Sequence, residues 1–423
     1  MGFNFSAALS GLRASSASLS AAGNNIANAN TISFKSSTVS FADIFTNSLG
    51  VRFNGAGVTL QIGNGVSVAG TDTDFSQGTL KDSTSATSAA IQGNGYFVVA
   101  DPTGTQSFTR AGDFTIDKDG YLVNSGGQRV QGYSAVNGAI PPGATLSALR
   151  VPIGEATPPF ATTQATLRTN LSSKDAAGSV FHAPVNVFDS KGSAHTLDLV
   201  FTKQADGSFQ MTATLDGNAA QASVNGGAAA GAPVSFTFDS NGQLTAPTSL
   251  SIVPDQTKLN SATLPSITIN LRQINPDGTP GSVNFTNFDA SSSVSSTSQD
   301  GFASGTLTGL SYSTDQSGTL FAIFSNGQKR ILGQLALATF NAQAGLRHLG
   351  GNLYGETVTS GQPSIGAAAT GGRGSVVGSA TEESNVNIAD EFTQLIVAQR
   401  SFQANSRVIT TISQTLQDLI QII

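Results

Sequence analysis

The chain has no cysteine and few charged residues. Without cysteine, its 423 residues cannot form disulfide bonds, thiolate metal sites or a cysteine nucleophile. Charged residues make up 11% of the chain, whereas an ordinary soluble protein has about 25%. The formal net charge is −6 and no basic cluster is present, so nucleic-acid binding has little electrostatic support.

Long apolar runs are also missing. No stretch approaches the length of a transmembrane helix, and we therefore expect no membrane insertion. The N-terminus, MGFNFSAALSGLRASS, lacks a basic start followed by an unbroken apolar stretch. We therefore expect no cleaved signal peptide.

Uncharged polar residues, alanine and 47 glycines are abundant instead. A surface of Ser, Thr, Asn and Gln suits extensive protein–protein contact, because desolvating amides and hydroxyls costs far less than desolvating ions. The same composition also fits an extracellular β-rich protein with ordinary turns.

Both ends of the chain follow a heptad pattern, with steps of four and three residues. Such a pattern predicts helices over about 3–32 and 386–423 that pack as a coiled coil. Near the N-terminus these positions hold Phe5, Leu9, Leu12, Ser16, Leu19, Gly23 and Ile26. Near the C-terminus they hold Ile388, Phe392, Leu395, Gln399, Phe402, Ser406, Ile409, Ser413, Leu416, Ile420 and Ile423. We expect the large apolar members to hold an assembly together, above all Phe5, Leu9, Leu12, Leu19, Ile26, Phe392, Leu395, Phe402, Ile409 and Leu416.

Asparagine is concentrated in residues 21–37, AAGNNIANANTISFKSS. Asn24, Asn25 and Asn28 fall largely off the heptad seam, so we expect their amides to face neighbouring helices and to be buried on assembly. Asn30 and Thr31 are predicted to mark the helix end, since asparagine favours C-terminal capping.

The middle of the chain shows the alternation of β-strands. Leu197, Leu199 and Phe201 alternate with polar residues, and turn sequences such as DKDG (117–120) and DSNG (239–242) separate similar stretches. We therefore predict an α+β, mainly β fold: long terminal helices in a coiled coil and two antiparallel β domains of sandwich or barrel type. The predicted domains are a terminal helical domain (1–32 with 384–423), an extended connector (33–70), an inner β domain (71–149 with 300–383) and an outer β domain (150–299).

No catalytic constellation is evident. His182 and His195 lie on or beside predicted strands near Asp189 and Asp198, but their spacing matches no zinc or nucleophile motif. His348 stands apart from them. A His/Asp metal or acid–base site is conceivable at His182 and His195, but we interpret them as surface histidines and predict no cofactor and no metal.

The segment DFTIDKDGYLV (113–123) has part of a calcium-loop pattern through Asp117, Asp119 and Gly120. Thr115 and Gly126 occupy positions where that loop requires an oxygen ligand and a glutamate, so a hairpin is the better interpretation.

Several motifs resemble signatures of the bacterial flagellar rod and hook family. NNIANANTISFKSS (24–37) is similar to that family's N-terminal signature, NNIANxNTxGFKxS. EESNVNIADEFTQLIVAQRSFQANSRVI (382–409) is similar to its C-terminal signature, and GNGYFVV (93–99) and FTRAGDFTIDKDGYLVNSGGQRVQGY (108–133) resemble its first β segment. The matching motif residues include Asn30, Thr31, Phe34, Lys35, Glu383, Ser384, Asn385 and Val386.

Within that family, QDGFASGTL (299–307), FSNGQKRILGQLALATF (324–340) and the long β insertion resemble hook subunits. Three residues depart from the family pattern: Ser33 replaces Gly, Asn387 replaces Asp and Phe402 replaces Tyr. From Ser33 we infer a turn that needs no positive φ.

The resemblance implies a structural, non-enzymatic subunit of the flagellar hook outside the cell. Such a subunit would assemble with itself into a curved hollow tube that acts as a universal joint and an export channel. The implied partners are further copies, a distal rod protein, a hook-cap protein, a hook–filament junction protein and the flagellar type III export apparatus. Alternatives are a secreted β-rich adhesin or hydrolase, or another flagellar part: the distal rod, the junction or the filament.

Overall fold

The computed structural model describes residues 3–44, 47–53, 56–62, 64–218, 222–224, 232–248, 250–259, 261–274 and 280–422. Within these ranges two α-helices lie near the chain ends, α1 (Phe3–Ala27) and α2 (Ile388–Ile422), and strands fill most of the chain between them. Neither helix in the described ranges combines the length and hydrophobicity that a bilayer-spanning helix requires.

The chain forms two compact units. The first contains Met1–Ile153, Gly309–Ile323 and Lys329–Ile423, and the second contains Gly154–Thr308 and Phe324–Gln328.

The strands that precede residue 150 are β1 (Ser37–Asp43), β2 (Asn47–Phe53), β3 (Ala56–Ile62), β4 (Val66–Thr73), β5 (Leu80–Asp82), β6 (Ala89–Gln92), β7 (Tyr96–Ala100), β8 (Gln106–Thr109), β9 (Thr115–Ile116), β10 (Leu122–Val123), β11 (Arg129–Ser134) and β12 (Leu146–Ala148). The next are β13 (Ala156–Thr157), β14 (Gln164–Asn170), β15 (Val180–Phe188), β16 (Ala194–Lys203), β17 (Phe209–Leu215), β18 (Ala222–Val224), β19 (Val234–Phe238), β20 (Leu244–Ala246), β21 (Leu250–Pro254), β22 (Ile267–Asn270), β23 (Arg272–Ile274), β24 (Pro280–Val283), β25 (Phe285–Thr286) and β26 (Ser293–Gln299). The last are β27 (Gly305–Tyr312), β28 (Thr319–Phe324), β29 (Lys329–Thr339), β30 (Arg347–Gly350), β31 (Leu353–Gly355), β32 (Ser364–Ala367), β33 (Ser375–Gly378) and β34 (Ala380–Glu382). Short 3₁₀ turns occupy Gln256–Lys258 and Gln343–Gly345.

The segment predicted as an extended connector (33–70) contains β1, β2, β3 and the first part of β4. Strand β1 pairs antiparallel with β4, and β2 pairs antiparallel with β3.

The first unit is built around a sheet that is buried on both faces. Its strands follow the order β28-β29-β11-β7-β8-β31-β30. Along β7, Phe97 and Val99 enter one apolar cluster while Tyr96 and Val98 enter another. Burial on both faces explains the unbroken apolar run of this strand, because each residue has a core to face.

The second unit is a two-sheet β sandwich. One sheet is antiparallel with the order β15-β16-β17-β19-β20, and the other contains β18, β21, β22, β14 and β25, with β26 also paired to β14. Leu199 and Phe201 of the first sheet share one apolar cluster with Leu167, Ile267 and Ile269 of the second. The alternation of apolar and polar residues therefore places one face of each sheet in a common core.

The predicted fold class is wrong on the terminal helices. The chain is mainly β, and its two helices do not pack along the predicted coiled-coil seam: Leu9 is 36% exposed, Phe392 is 50% exposed and Phe402 is 38% exposed. The helices instead run antiparallel, with Asn25 beside Glu391 and Gly11 beside Asn405.

Small residues explain this difference. Of the helix side chains that the structure describes, α1 buries the apolar residues Ala8, Ala14 and Ala22, and α2 buries Ala398. Small side chains let two helix backbones approach closely, whereas a heptad pattern of large residues predicts knobs-into-holes packing. Several large apolar residues of the heptad pattern, among them Leu9, Phe392 and Phe402, are exposed instead.

The prediction of two antiparallel β domains is also wrong in one sheet of the second unit. Strand β14 runs parallel to both β22 and β25 and antiparallel to β26, so this sheet of the second unit is mixed. Alternation gives the buried face of a strand but not the direction of its neighbours, which long connections determine.

Candidate functional site

The two signature motifs meet in the first unit. After α1 ends, the chain turns and brings Ser33–Lys35 beside β34. The Ser33 N–H donates to the Glu382 carbonyl at 2.8 Å, and the Asn385 N–H donates to the Phe34 carbonyl at 3.3 Å. We call this region, residues 25–37 with 380–391 and the groups they contact, the terminal junction.

Glu382 is the centre of the terminal junction. Its carboxylate is fully buried, and its Oε1 lies 2.6 Å from Lys35 Nζ and accepts the Gly78 N–H at 2.9 Å. Lys35 Nζ also donates to the Ser76 carbonyl at 2.6 Å. Burial lowers the pKa of Lys35, and the hydrogen bond and charge of Glu382 oppose that change. Because both charges are buried, each depends on the other.

Arg110 supplies a second cation. Its Nη1 lies 3.6 Å from Glu382 Oε2, its Nη2 donates to the Gly93 carbonyl at 2.8 Å, and its guanidinium lies 5.4 Å from the centre of the Tyr96 ring. Among the described residues, neither Arg110 Nη1 nor Glu382 Oε2 has a hydrogen-bond partner. The carboxylate thus holds together the N-terminal motif, the C-terminal motif and the buried sheet.

The backbone conformation of Ser33 contradicts our inference that this turn needs no positive φ. Its φ is 56°, which is the left-handed region, and its side chain is buried. The Ser33 hydroxyl donates to the Arg110 carbonyl at 2.9 Å. The turn therefore requires a positive φ even without glycine, and the hydroxyl offsets part of the conformational cost.

Asn25 joins the end of α1 to the start of α2. Its Nδ2 donates to Glu391 Oε1 and to the Ser37 carbonyl, both at 2.9 Å, and its Oδ1 accepts the Ser37 N–H at 3.0 Å. Only 1% of Asn25 is exposed. Its amide is therefore satisfied inside the chain.

Asn385 ties the start of the C-terminal motif to the strand region. Its Oδ1 accepts the Ser36 N–H at 2.8 Å, and its Nδ2 donates to the Asp74 carbonyl at 2.8 Å. Asn387 then caps α2, since its Oδ1 accepts the Ala389 N–H at 3.1 Å. Asparagine and aspartate are about equally good N-caps, so the departure from Asp costs the helix little.

The other residues of the predicted site lie around this junction and along the helices. Asn28 donates to the Asn24 carbonyl at 3.0 Å and accepts the Thr31 hydroxyl at 3.1 Å, and Glu383 pairs with Lys81 at the surface. Exposed members are Leu9, Asn24, Asn30, Glu383, Phe392, Gln399 and Phe402. Partly buried members are Leu12, Leu19, Ile26, Asn28, Thr31, Phe34, Ser384, Asn385, Val386, Leu395 and Ile409. The side chains of Phe5 and Leu416 lie outside the described part of the structure.

Sequence reasoning missed Glu382, Arg110 and Glu391. A signal was present, because charged residues are scarce and these three lie inside or beside the quoted motifs. Burial of the three charges was not visible in a linear pattern.

The calcium-like segment is a turn. Asp117 Oδ1 accepts the backbone N–H groups of Asp119 and Tyr121 at 2.9 and 2.7 Å. Across the described ranges, no group of three or more His, Cys, Asp or Glu side chains is arranged to hold a metal ion.

One of the family matches covers the C-terminal motif of the junction. Three family descriptions match the chain: the flagellar basal body protein FlaE D2 domain at residues 155–302, the flagellar hook protein FlgE/F/G D1 domain at 90–158, and the flagellar basal body rod FlgEFG protein C-terminal region at 377–422.

Whole-chain relatives decide the family. The chain is 31% identical to the flagellar hook protein FlgE of Salmonella typhimurium, over 99% of this chain and 100% of that protein. It is 33% identical to the flagellar hook protein FlgE of Borreliella burgdorferi, over 98% of both. The chain belongs to the flagellar hook protein family. As a flagellar hook protein it is a structural component of the flagellum outside the cell and not an enzyme.

A solved hook protein shows a similar fold. The crystal structure of a flagellar hook protein of Helicobacter pylori matches with a TM-score of 0.50 and 15% identity, over 72% of this chain and 99% of that chain. The shared architecture is mostly β, in agreement with the corrected fold class.

Proposed function

We propose that this hook protein polymerises head to tail into a curved hollow tube, which transmits motor torque to the filament as a universal joint and serves as an export channel. The observation that supports the proposal is an apolar surface on α2, which we call the α2 apolar face. Its members lie on one side of the helix, within about 120° at 100° per residue, and are exposed in the single chain: Ile388, Phe392, Ile396 and Phe402.

We expect the α2 apolar face to be buried against another molecule. Large contiguous exposed apolar patches are rare on monomeric soluble proteins and mark interaction sites. Full burial of one such side chain contributes about 1.5–3 kcal/mol, so covering a half-exposed one contributes about 1 kcal/mol. Further copies supply the cover in the proposal, because contacts between different surfaces of identical subunits generate a helical polymer when their rotation does not close into a ring.

The remaining assignments rest on this proposed polymer. Residues 1–32 with 384–423 form its inner tube, Asn24 and Asn28 contact neighbouring copies, and residues 150–299 form the outer part. The partners are a distal rod protein, a hook-cap protein, a hook–filament junction protein and the flagellar type III export apparatus.

A double substitution in the α2 apolar face tests the proposal. Phe392→Ser with Ile396→Ser should leave the monomer folded but abolish tubes in polymerisation assays observed by negative-stain electron microscopy. Gln403→Ser, at an exposed polar position of the same helix, is the matched control and should polymerise normally. Normal tubes from the double variant, with circular dichroism equal to wild type, would contradict the proposal.

Bending requires a different kind of contact. A rotating curved joint lengthens and shortens its longitudinal rows, and water-bridged polar contacts exchange partners at little cost. The exposed strand β26, SVSSTSQ, has this character. Replacing Ser293, Ser295 and Ser296 with Leu should leave hooks assembled but stiff, with swimming impaired. The same three positions changed to Thr are the control. Unimpaired swimming of the Leu variant would contradict the proposal that polar contacts of β26 exchange partners as the hook bends.

A further inference from the structure

One end of the sandwich carries a histidine between two carboxylates. His195 Nδ1 lies 2.7 Å from Asp216 Oδ2, and its Nε2 lies 3.2 Å from Asp189 Oδ2. The histidine side chain is 16% exposed and that of Asp189 is 3% exposed. Asp216 and Asp189 are the charged groups that act on His195.

The two carboxylates belong to two different turns. Asp189 begins the turn between β15 and β16, where its Oδ1 accepts the Lys191 and Ser193 N–H groups at 2.8 and 2.9 Å. Asp216 follows β17 in the left-handed conformation, with φ 50°, and its Oδ1 accepts the Thr196 N–H at 2.9 Å. Both side chains are thereby fixed in position before they meet the imidazole.

The turn between β15 and β16 also contacts the connection between β21 and β22 of the other sheet. The Ser190 N–H donates to the Thr263 carbonyl at 2.8 Å, and the Thr263 N–H donates to Ser190 Oγ at 2.9 Å. Thr263 lies between β21 and β22 of the other sheet. Asp189 therefore lies where three connections meet at this end of the sandwich: the β15–β16 turn, the turn after β17 and the β21–β22 connection.

Two carboxylate acceptors select the charged form of the imidazole. A neutral imidazole has one N–H and one lone pair, so it satisfies only one of the two carboxylates. The imidazolium donates to both. Burial lowers the pKa of His195, but the hydrogen bonds and charges of Asp216 and Asp189 outweigh burial and raise it above the ordinary value.

We propose that His195 is a pH-sensitive clamp, which as an imidazolium joins the 189–193 turn to the 215–218 turn and on deprotonation releases the 189–193 turn. The neutral form keeps its N–H toward Asp216, the shorter contact, and then presents its Nε2 lone pair to the buried carboxylate of Asp189.

The direction of the pH dependence follows from the raised pKa. The stabilisation is fully present below the unfolded-state pKa of about 6.5 and is lost as pH rises through the higher folded-state pKa. Alkaline conditions should therefore loosen this end of the sandwich.

The chain contains three histidines, so the titration can be followed on the full protein by NMR with ¹³C-labelled histidine. His195 should titrate above 6.5. His348, whose pKa burial lowers, should titrate below it. Asp216→Asn should lower the pKa of His195 by about one or more, because it removes an opposite charge within hydrogen-bond distance. A His195 pKa at or below 6.5, or one unchanged in Asp216→Asn, would overturn the clamp.

Asp198→Asn is the matched control, since Asp198 lies 2.7 Å from His182 on the neighbouring strand. It should leave the titration of His195 unchanged. Should Asp216→Asn fail to fold, Asp189→Asn gives the same test from the other ring nitrogen.

A second readout is amide hydrogen exchange. Protection of the Ser193 N–H, corrected for intrinsic rates, should fall as pH rises through the measured pKa of His195. In His195→Gln this step should disappear. A step that persists in His195→Gln would also overturn the clamp.

Discussion

At Ser33, backbone and side chain make opposing contributions to stability. A left-handed φ costs a non-glycine residue about 1–2 kcal/mol, while a buried hydrogen bond contributes about 0.5–1.5 kcal/mol. Ser33→Ala keeps the cost and loses the bond to the Arg110 carbonyl, so we expect it to lower the free energy of unfolding by about 1 kcal/mol. Ser33→Gly loses both and should stay within about 1 kcal/mol of wild type. Urea denaturation measures the difference. An alanine variant as stable as wild type would show that the hydroxyl contributes nothing, and one as stable as the glycine variant would show that the left-handed φ has no cost.

Glu382 is the counter-charge for two buried cations. Removing its charge should therefore destabilise the protein more than removing one of the cations. Glu382→Gln leaves both Lys35 and Arg110 without their carboxylate, and removing one partner of a buried ion pair costs about 3–5 kcal/mol. Lys35→Met leaves Glu382 with Arg110 and should cost less. Unfolding in urea at neutral pH compares the two variants. Equal losses would mean that Arg110 does not share the charge of Glu382.

These residues also show where sequence reasoning ends. Lys35 was identified through its motif, but its partner Glu382 is 347 positions away and fell one residue outside the predicted set. Linear spacing does not report which distant strand meets a motif. Serine in place of glycine at position 33 predicts an ordinary φ, whereas a buried hydrogen bond from the Ser33 hydroxyl to the Arg110 carbonyl, 77 positions away, offsets part of the cost of the left-handed φ.

Between elements, the contact of Asn25 with Glu391 links α1, α2 and β1. Asn25→Asp would place a second carboxylate against Glu391 and remove the amide donors, so it should destabilise the first unit more than Asn25→Ala does. Acidic pH should reduce the excess cost of Asn25→Asp, because protonation relieves the repulsion. Urea denaturation at neutral and acidic pH measures this. Asn24→Asp, at the adjacent exposed position, is the control and should have little effect at either pH.

The helices and strands differ in how far the sequence predicts them. Alternation in β16 correctly indicates its buried face, because a strand has only two faces and one of them meets a core. The helix contact was mispredicted because large apolar residues were assumed to face the intrachain partner. In α2 several of them are exposed, whereas Ala398 is buried and Glu391 accepts a hydrogen bond from Asn25 of α1. The parallel partners of β14 follow from chain connections that alternation does not encode.

Over the whole molecule, two separate sets of cores predict two unfolding events. Phe201 is fully buried in the sandwich cluster, and Phe97 is fully buried in a cluster of the first unit that contains no sandwich residue. Replacing a buried Phe with Ala costs about 3–5 kcal/mol. Phe201→Ala should therefore lower the temperature of one calorimetric transition and leave the other in place.

Phe97→Ala should do the reverse and lower only the transition that Phe201→Ala leaves unchanged. For units of this size, each kcal/mol lowers Tm by about 2–4 °C, so either substitution should shift its own transition by about 6–20 °C. Differential scanning calorimetry of the full chain and both variants resolves the two responses. If both substitutions shifted the same single transition, the two units would unfold as one cooperative structure, because stability lost in one core would then be shared with the other.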